Sequence, residues 1–141
     1  MGKINIGRVI LGGIVAGIVG DLLDFPVDDV WLAPQWTAGM KALGHPEFPS
    51  SGLIWFNLLG LVIGLVAIWI YAGIRPRFGA GVKTAIYAGV AVWILGFLVP
   101  NVSFMYVQGL FSEHLTLATT AGALVECVVG TIAGAALYKE G

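Results

Sequence analysis

Glu126 is the residue with the most chemistry to offer. It stands in the middle of LTLATTAGALVECVVGTIAGAALY, residues 115–138, a stretch long enough to cross a bilayer core as a helix. The acid then lies near the midplane, where a carboxyl group has to be protonated, paired, hydrogen-bonded or wet. Two kinds of use follow. It can relay a proton or accept a cation or a hydroxylated ligand, or it can donate, protonated, to a carbonyl of the next helix and fix helix pairing. Asp21 and Asn57 are the candidate neighbours from other apolar runs, and no Lys or Arg lies at that depth to form an ion pair.

Elsewhere the chemistry thins out. Asp24, Asp28, Asp29, Glu47 and Glu113, with His45 and His114, have the right atoms for a metal. Their spacing holds no His-x3-His or Glu-x-x-His pair on one helix, so a solvated acidic surface is expected and no metal site is predicted. Ser50, Ser51, Ser103 and Ser112 lack a nucleophile-elbow pattern, and the glycines do not open a strand-to-helix turn. No catalytic residue and no cofactor is predicted; neither histidine lies in an apolar run, which disfavours axial haem ligation. The one cysteine, Cys127, has no disulfide partner and reads as packing. A net charge of -1 gives nucleic-acid binding no electrostatic support.

The elements that must position Glu126 are membrane helices. Of 141 residues, 58% are hydrophobic and 11% charged, and mean hydropathy is +0.93. A water-soluble domain of this size needs more charge to cover its surface. The sequence predicts one integral membrane domain over residues 1–141, an all-α bundle of four transmembrane helices at about 4–25, 53–72, 82–99 and 115–138. The basic, apolar start resembles a secretory signal, but is read as the first membrane helix. With four crossings Lys3, Arg8, Arg75, Arg77, Lys83 and Lys139 share one side, and Lys41 alone falls on the other. Both termini are therefore expected in the cytoplasm.

Small residues recur at helical spacing on every run. Gly13, Gly17 and Asp21 form one row of the first helix, and Gly12, Ala16, Gly20 and Asp24 the adjoining one. Gly60 and Gly64 mark the second helix, and Gly122, Glu126, Gly130 and Gly134 share one row of the fourth. Such rows let helices approach closely. At about 1.5 Å per residue Asp21 stands about 24 Å above Asn5, and Glu126 about 18 Å above Tyr138, so the two acids occupy neighbouring layers if those helices touch. Pro26 is expected to end or kink the first helix. In the first outer connection Asp28 and Asp29 cap a turn, and Pro34 opens a short interfacial helix through Leu43 that Gly44 stops. Trp31, Trp36, Trp55 and Trp69 are assigned to the membrane interfaces, with Met40 and Leu43 beside the first two forming a lid. Arg8 to Gly20 and Lys83 to Leu95 echo one another, a faint sign of two related helical hairpins.

Four segments, WTAGMKALG (36–44), IYAGIRPRFGAGVKTA (70–85), GLF (109–111) and GALVE…GAALYKE (122–140), resemble a family of small bacterial four-helix membrane proteins to which no activity is assigned. The resemblance implies a bacterial inner-membrane location and an acid at the position of Glu126. This chain has the small Gly122–Ala123 pair where the family carries an aromatic side chain near that acid. Two roles fit the residues. The first is a structural or interaction subunit, lodged in the lipid bilayer and joined through glycine-lined faces to copies of itself or to other membrane subunits. The alternative is a small proton- or cation-linked transporter, channel or ligand-binding protein using Glu126. An enzyme acting on lipid or quinone comes third, with no motif behind it.

Overall fold

Lipid offers backbone amides no partner, so a chain this apolar has to close its hydrogen bonds within each segment. The computed structural model describes residues 2–45 and 51–141, and all its regular elements are helical. They are α1 (Ile6–Trp31), the short α2 (Ala33–Ala42), α3 (Gly52–Phe78), α4 (Val82–Val107) and α5 (Glu113–Ala135). All but α2 are long and apolar enough to cross a membrane, as in a multi-pass membrane protein. The short helix expected after the first span is present. Pro34 lies in its first turn, and Gly44 follows it at φ +84°, a left-handed conformation that suits glycine.

The spans outrun the apolar runs that mark them. Pro26 does not end α1. The helix continues through Phe25–Trp31 with π geometry, and the Leu32 N–H donates to the Val27 carbonyl at 2.8 Å. Asp28 and Asp29 accordingly lie inside α1 and cap no separate turn. Pro100 does the same in α4, flanked by π-helical stretches at Ile94–Leu98 and Asn101–Val107. A proline deletes the donor for the usual i→i−4 bond, and the wider i→i−5 pairing carries the ladder past it. α3 runs through Pro76 to Phe78 and stops at Gly79, φ +86°. At the last span the shift is the other way: α5 begins at Glu113, where the Ser112 side chain accepts from the Leu115 N–H at 3.2 Å, and ends at Ala135.

The four spans form a ring in which α1 packs between α3 and α5, and α4 closes the other side. The glycine rows are consumed inside it. A Cβ on Gly12 would lie 2.6 Å from the Gly134 carbonyl, and one on Gly130 2.6 Å from the Ala16 carbonyl, so α1 and α5 touch backbone to backbone. Gly13 and Gly17 meet the Cα atoms of Leu65 and Leu61 with equally little room, and Gly64 lies against both glycines. Gly89 of α4 rests on the Cys127 carbonyl. The outward faces carry large apolar side chains instead, among them Leu59, Trp55 and Trp69, each more than half exposed.

One end of the ring is basic. There Tyr71 and Tyr138 pack edge to face at 5.9 Å, and the Tyr138 hydroxyl accepts from the Asn5 N–H at 3.3 Å. Arg75 stands 5.4 Å above the Tyr138 ring with its guanidinium 3.4 Å from Glu140. The beginning and end of the chain thus meet the α3–α4 turn. The opposite, acidic end is filled by buried Leu32, Met105 and Leu115, with Val27, Trp36 and Phe111 against them.

Candidate functional site

The antiparallel register of α1 and α5 decides which acids meet. Gly12 faces Gly134 and Ala16 faces Gly130, so one turn further Gly20 is level with Glu126. A helical side chain leans toward the N-terminus of its helix, which carries the Glu126 carboxylate up to the level of Gly122 and Asp24. Gly122 makes the room: a Cβ there would sit 3.6 Å from Glu126 Oε1 and 3.1 Å from Val27 Cγ1. Asp28 stands one turn above Asp24 on the same face of α1. The outcome is a cluster in which one carboxylate oxygen from each of Asp24, Asp28 and Glu126 lies within 4.8 Å of the other two.

Glu126 is 8% exposed, and its Oε1 is buried without a hydrogen-bond partner. Asp24 and Asp28 are half-buried. The Trp36 Nε1–H donates to Asp28 Oδ1 at 2.7 Å, joining α2 to the cluster. Trp36 in turn packs edge to face on Phe111 at 5.2 Å, and Gly39 lets that ring approach α2. Trp31 stands edge-on to His114 at 6.0 Å, and His114 Nδ1 lies 3.0 Å from Gln35 Oε1. These contacts seat α2 and the start of α5 beside the carboxylates.

Among the described residues no cationic side chain pairs with the cluster. Among the described residues the ion pair present is Arg75–Glu140, at the basic end. Two like charges 4.8 Å apart repel by about 3 kcal/mol at an effective dielectric constant of about 20. Three carboxylates this close cannot all stay charged unless a proton or a cation joins them.

Asp21 and Asn57, grouped with Glu126 on sequence grounds, stand elsewhere. The row Gly13–Gly17–Asp21 faces α3, not α5, and Asp21 Oδ1 lies directly over Gly60. Asn57 donates to the Leu53 carbonyl of its own helix at 2.7 Å. Both line an open groove between α1 and α3, with Ile18, Ile54, Leu58 and Leu61. The acid that replaces Asp21 is Asp24, on the adjoining row. Asp24 and Asp28 are four residues apart, a spacing that points to one helical face once α1 is carried past Pro26. Of the other acidic-surface residues, Asp29, Glu113, His45 and His114 are exposed and outside the cluster, and Glu47 lies outside the described residues.

The back of Glu126's helix is fixed by polar contacts that periodicity did not mark. Trp93 Nε1–H of α4 donates to the Thr120 carbonyl at 2.8 Å, and Asn101 Nδ2–H to Thr120 Oγ1 at 3.0 Å. Thr131 Oγ1–H donates to the Cys127 carbonyl at 2.5 Å. Buried threonines were the available signal, since a hydroxyl in an apolar run needs an acceptor. Cys127 packs with Ala67 and Val92, in keeping with a packing role. Compared with family models, with curated proteins and with solved structures, the chain matches none.

Proposed function

We propose that this chain is a bacterial inner-membrane protein that binds a proton or a cation at Asp24, Asp28 and Glu126 and couples that binding to transport. One observation carries the reading: Glu126 is buried with an unpartnered oxygen, facing two further carboxylates from a different helix. Ionisable groups inside a span mark ion pathways when they face the bundle interior, as this one does. With the basic end in the cytoplasm, the cluster lies in the outer half of the bilayer beneath α2. Trp31, Trp36, Met40 and Leu43 then lie at the headgroup level, and Trp55 and Trp69 anchor the lipid-facing side of α3. The test is flux in proteoliposomes under an imposed ion gradient, read by trapped proton- and divalent-sensitive dyes. Flux lost in Glu126→Gln is expected. Flux that persists unchanged in that variant overturns the reading.

A second reading, a structural subunit of a larger membrane assembly, has its own support in the open groove of Asp21 and Asn57. Polar side chains on a lipid-facing surface favour a partner helix or a second copy. Most of the row glycines pack within the chain, and this groove is the face such a partner would take. Detergent sizing that finds a strict monomer, with nothing copurifying from native membranes, counts against it.

A further inference from the structure

The reading of Asp24, Asp28 and Glu126 as a cation-linked site leaves the ion open, and the geometry goes further. We infer that the cluster is a binding site for one hard divalent metal ion, of the magnesium, manganese and calcium class.

The donors come first. All three are carboxylate oxygens, with no imidazole or thiolate among them, which selects hard cations over zinc or copper. Their mutual separation, within 4.8 Å, matches the span across one first coordination shell, since oxygen ligands stand about 2.0–2.6 Å from such ions. Val27 and the α5 backbone at Gly122 close one side of Glu126, and the Asp28 carboxylate is already held on another by Trp36.

Charge comes next. A monovalent ion leaves two excess negative charges in a low-dielectric setting, whereas a divalent ion leaves one. The site also has the partial preorganisation that metal sites need. Glu126 is enclosed between α1 and α5, and Trp36 holds Oδ1 of Asp28 in place. Trp36 is in this sense a positioning residue. Glu126 adds an independent sign of a ligand: it comes from the opposite helix, is 8% exposed, and among the described residues its Oε1 is buried with no hydrogen-bond partner.

The test uses the purified full chain in lipid nanodiscs with Mn2+ as the probe, free ion being read by electron paramagnetic resonance. One saturable site is expected, with affinity reduced at least about tenfold in Glu126→Gln and in Asp28→Asn, and unchanged in the exposed control Asp29→Asn. Ca2+ and Mg2+ are expected to compete. Where a variant fails to fold, the wild-type chain serves alone: Mn2+ should protect Glu126 from modification by dicyclohexylcarbodiimide, read by mass spectrometry. No saturable Mn2+ binding, binding indifferent to Glu126→Gln and Asp28→Asn, or binding without protection overturns the assignment. The two levels of inference come apart cleanly. Proton flux lost in Glu126→Gln without Mn2+ binding overturns the metal alone, and flux indifferent to that variant overturns the transport reading instead.

Discussion

The indole N–H of Trp36 donates to Oδ1 of Asp28 at 2.7 Å, and through that bond the short helix α2 is coupled to the carboxylate cluster. Trp36→Phe keeps an aromatic ring against Phe111 but removes the donor. Mn2+ affinity should fall about tenfold with stoichiometry unchanged, the usual effect of losing a partner that orients a ligand. Paramagnetic titration of the variant measures it, and unaltered affinity would show that Asp28 needs no such help.

Gly122 tests the space around Glu126 without touching a donor. A single methyl meets only ordinary or slightly tight contacts, so Gly122→Ala should stay within about 0.5 kcal/mol of the parent in thermal unfolding. Gly122→Leu drives a larger side chain into Val27 and the Glu126 carboxylate. Mn2+ binding should weaken although all three acids remain.

Asp21→Asn separates the two faces of α1. Asp21 is turned to Gly60 on α3 and is absent from the cluster, so its neutralisation should change Mn2+ affinity by no more than about twofold. A loss as large as that of Glu126→Gln would place Asp21 in the site after all.

The helix seam offers a matched pair of substitutions. Gly64 lies against Gly13 and Gly17, and any side chain there must force α1 and α3 apart. Gly73, one helix face away, has nothing within 4 Å of its would-be Cβ. Gly64→Leu should cost about 1–3 kcal/mol and broaden the sizing profile, while Gly73→Leu leaves both nearly unchanged. Thermal melts followed by size-exclusion chromatography decide between them.

The spans were legible in the sequence because lipid imposes length and apolarity together, and Pro34 with Gly44 marked α2 as plainly. The ends of the spans were not. Pro26 and Pro100 are stop signals in water, but lipid leaves a helix little else to become, and each ladder widens and runs on. That extension places Asp28 on a helix, one turn above Asp24. Periodicity likewise showed two rows on α1 but not which neighbour each row faces. The contact that settles it, Gly12 on Gly134, belongs to two segments far apart in the chain. Asp21 was therefore grouped with Glu126, whereas Asp24 is the α1 acid that lies beside it, and the glycine rows pack α1 against α3 and α5.

The π-helical stretches of α1 and α4 all fall in the acidic half of the bundle, whereas the backbone-to-backbone seam of α1 with α5 fills the basic half. Packing is consequently graded along the molecule. One end is built as a clamped root, and the other as a pair of tines with wider turns. If a ligand reaches Glu126 as proposed, the looser helical turns lie on its side of the bundle, and the backbone-to-backbone seam lies behind it.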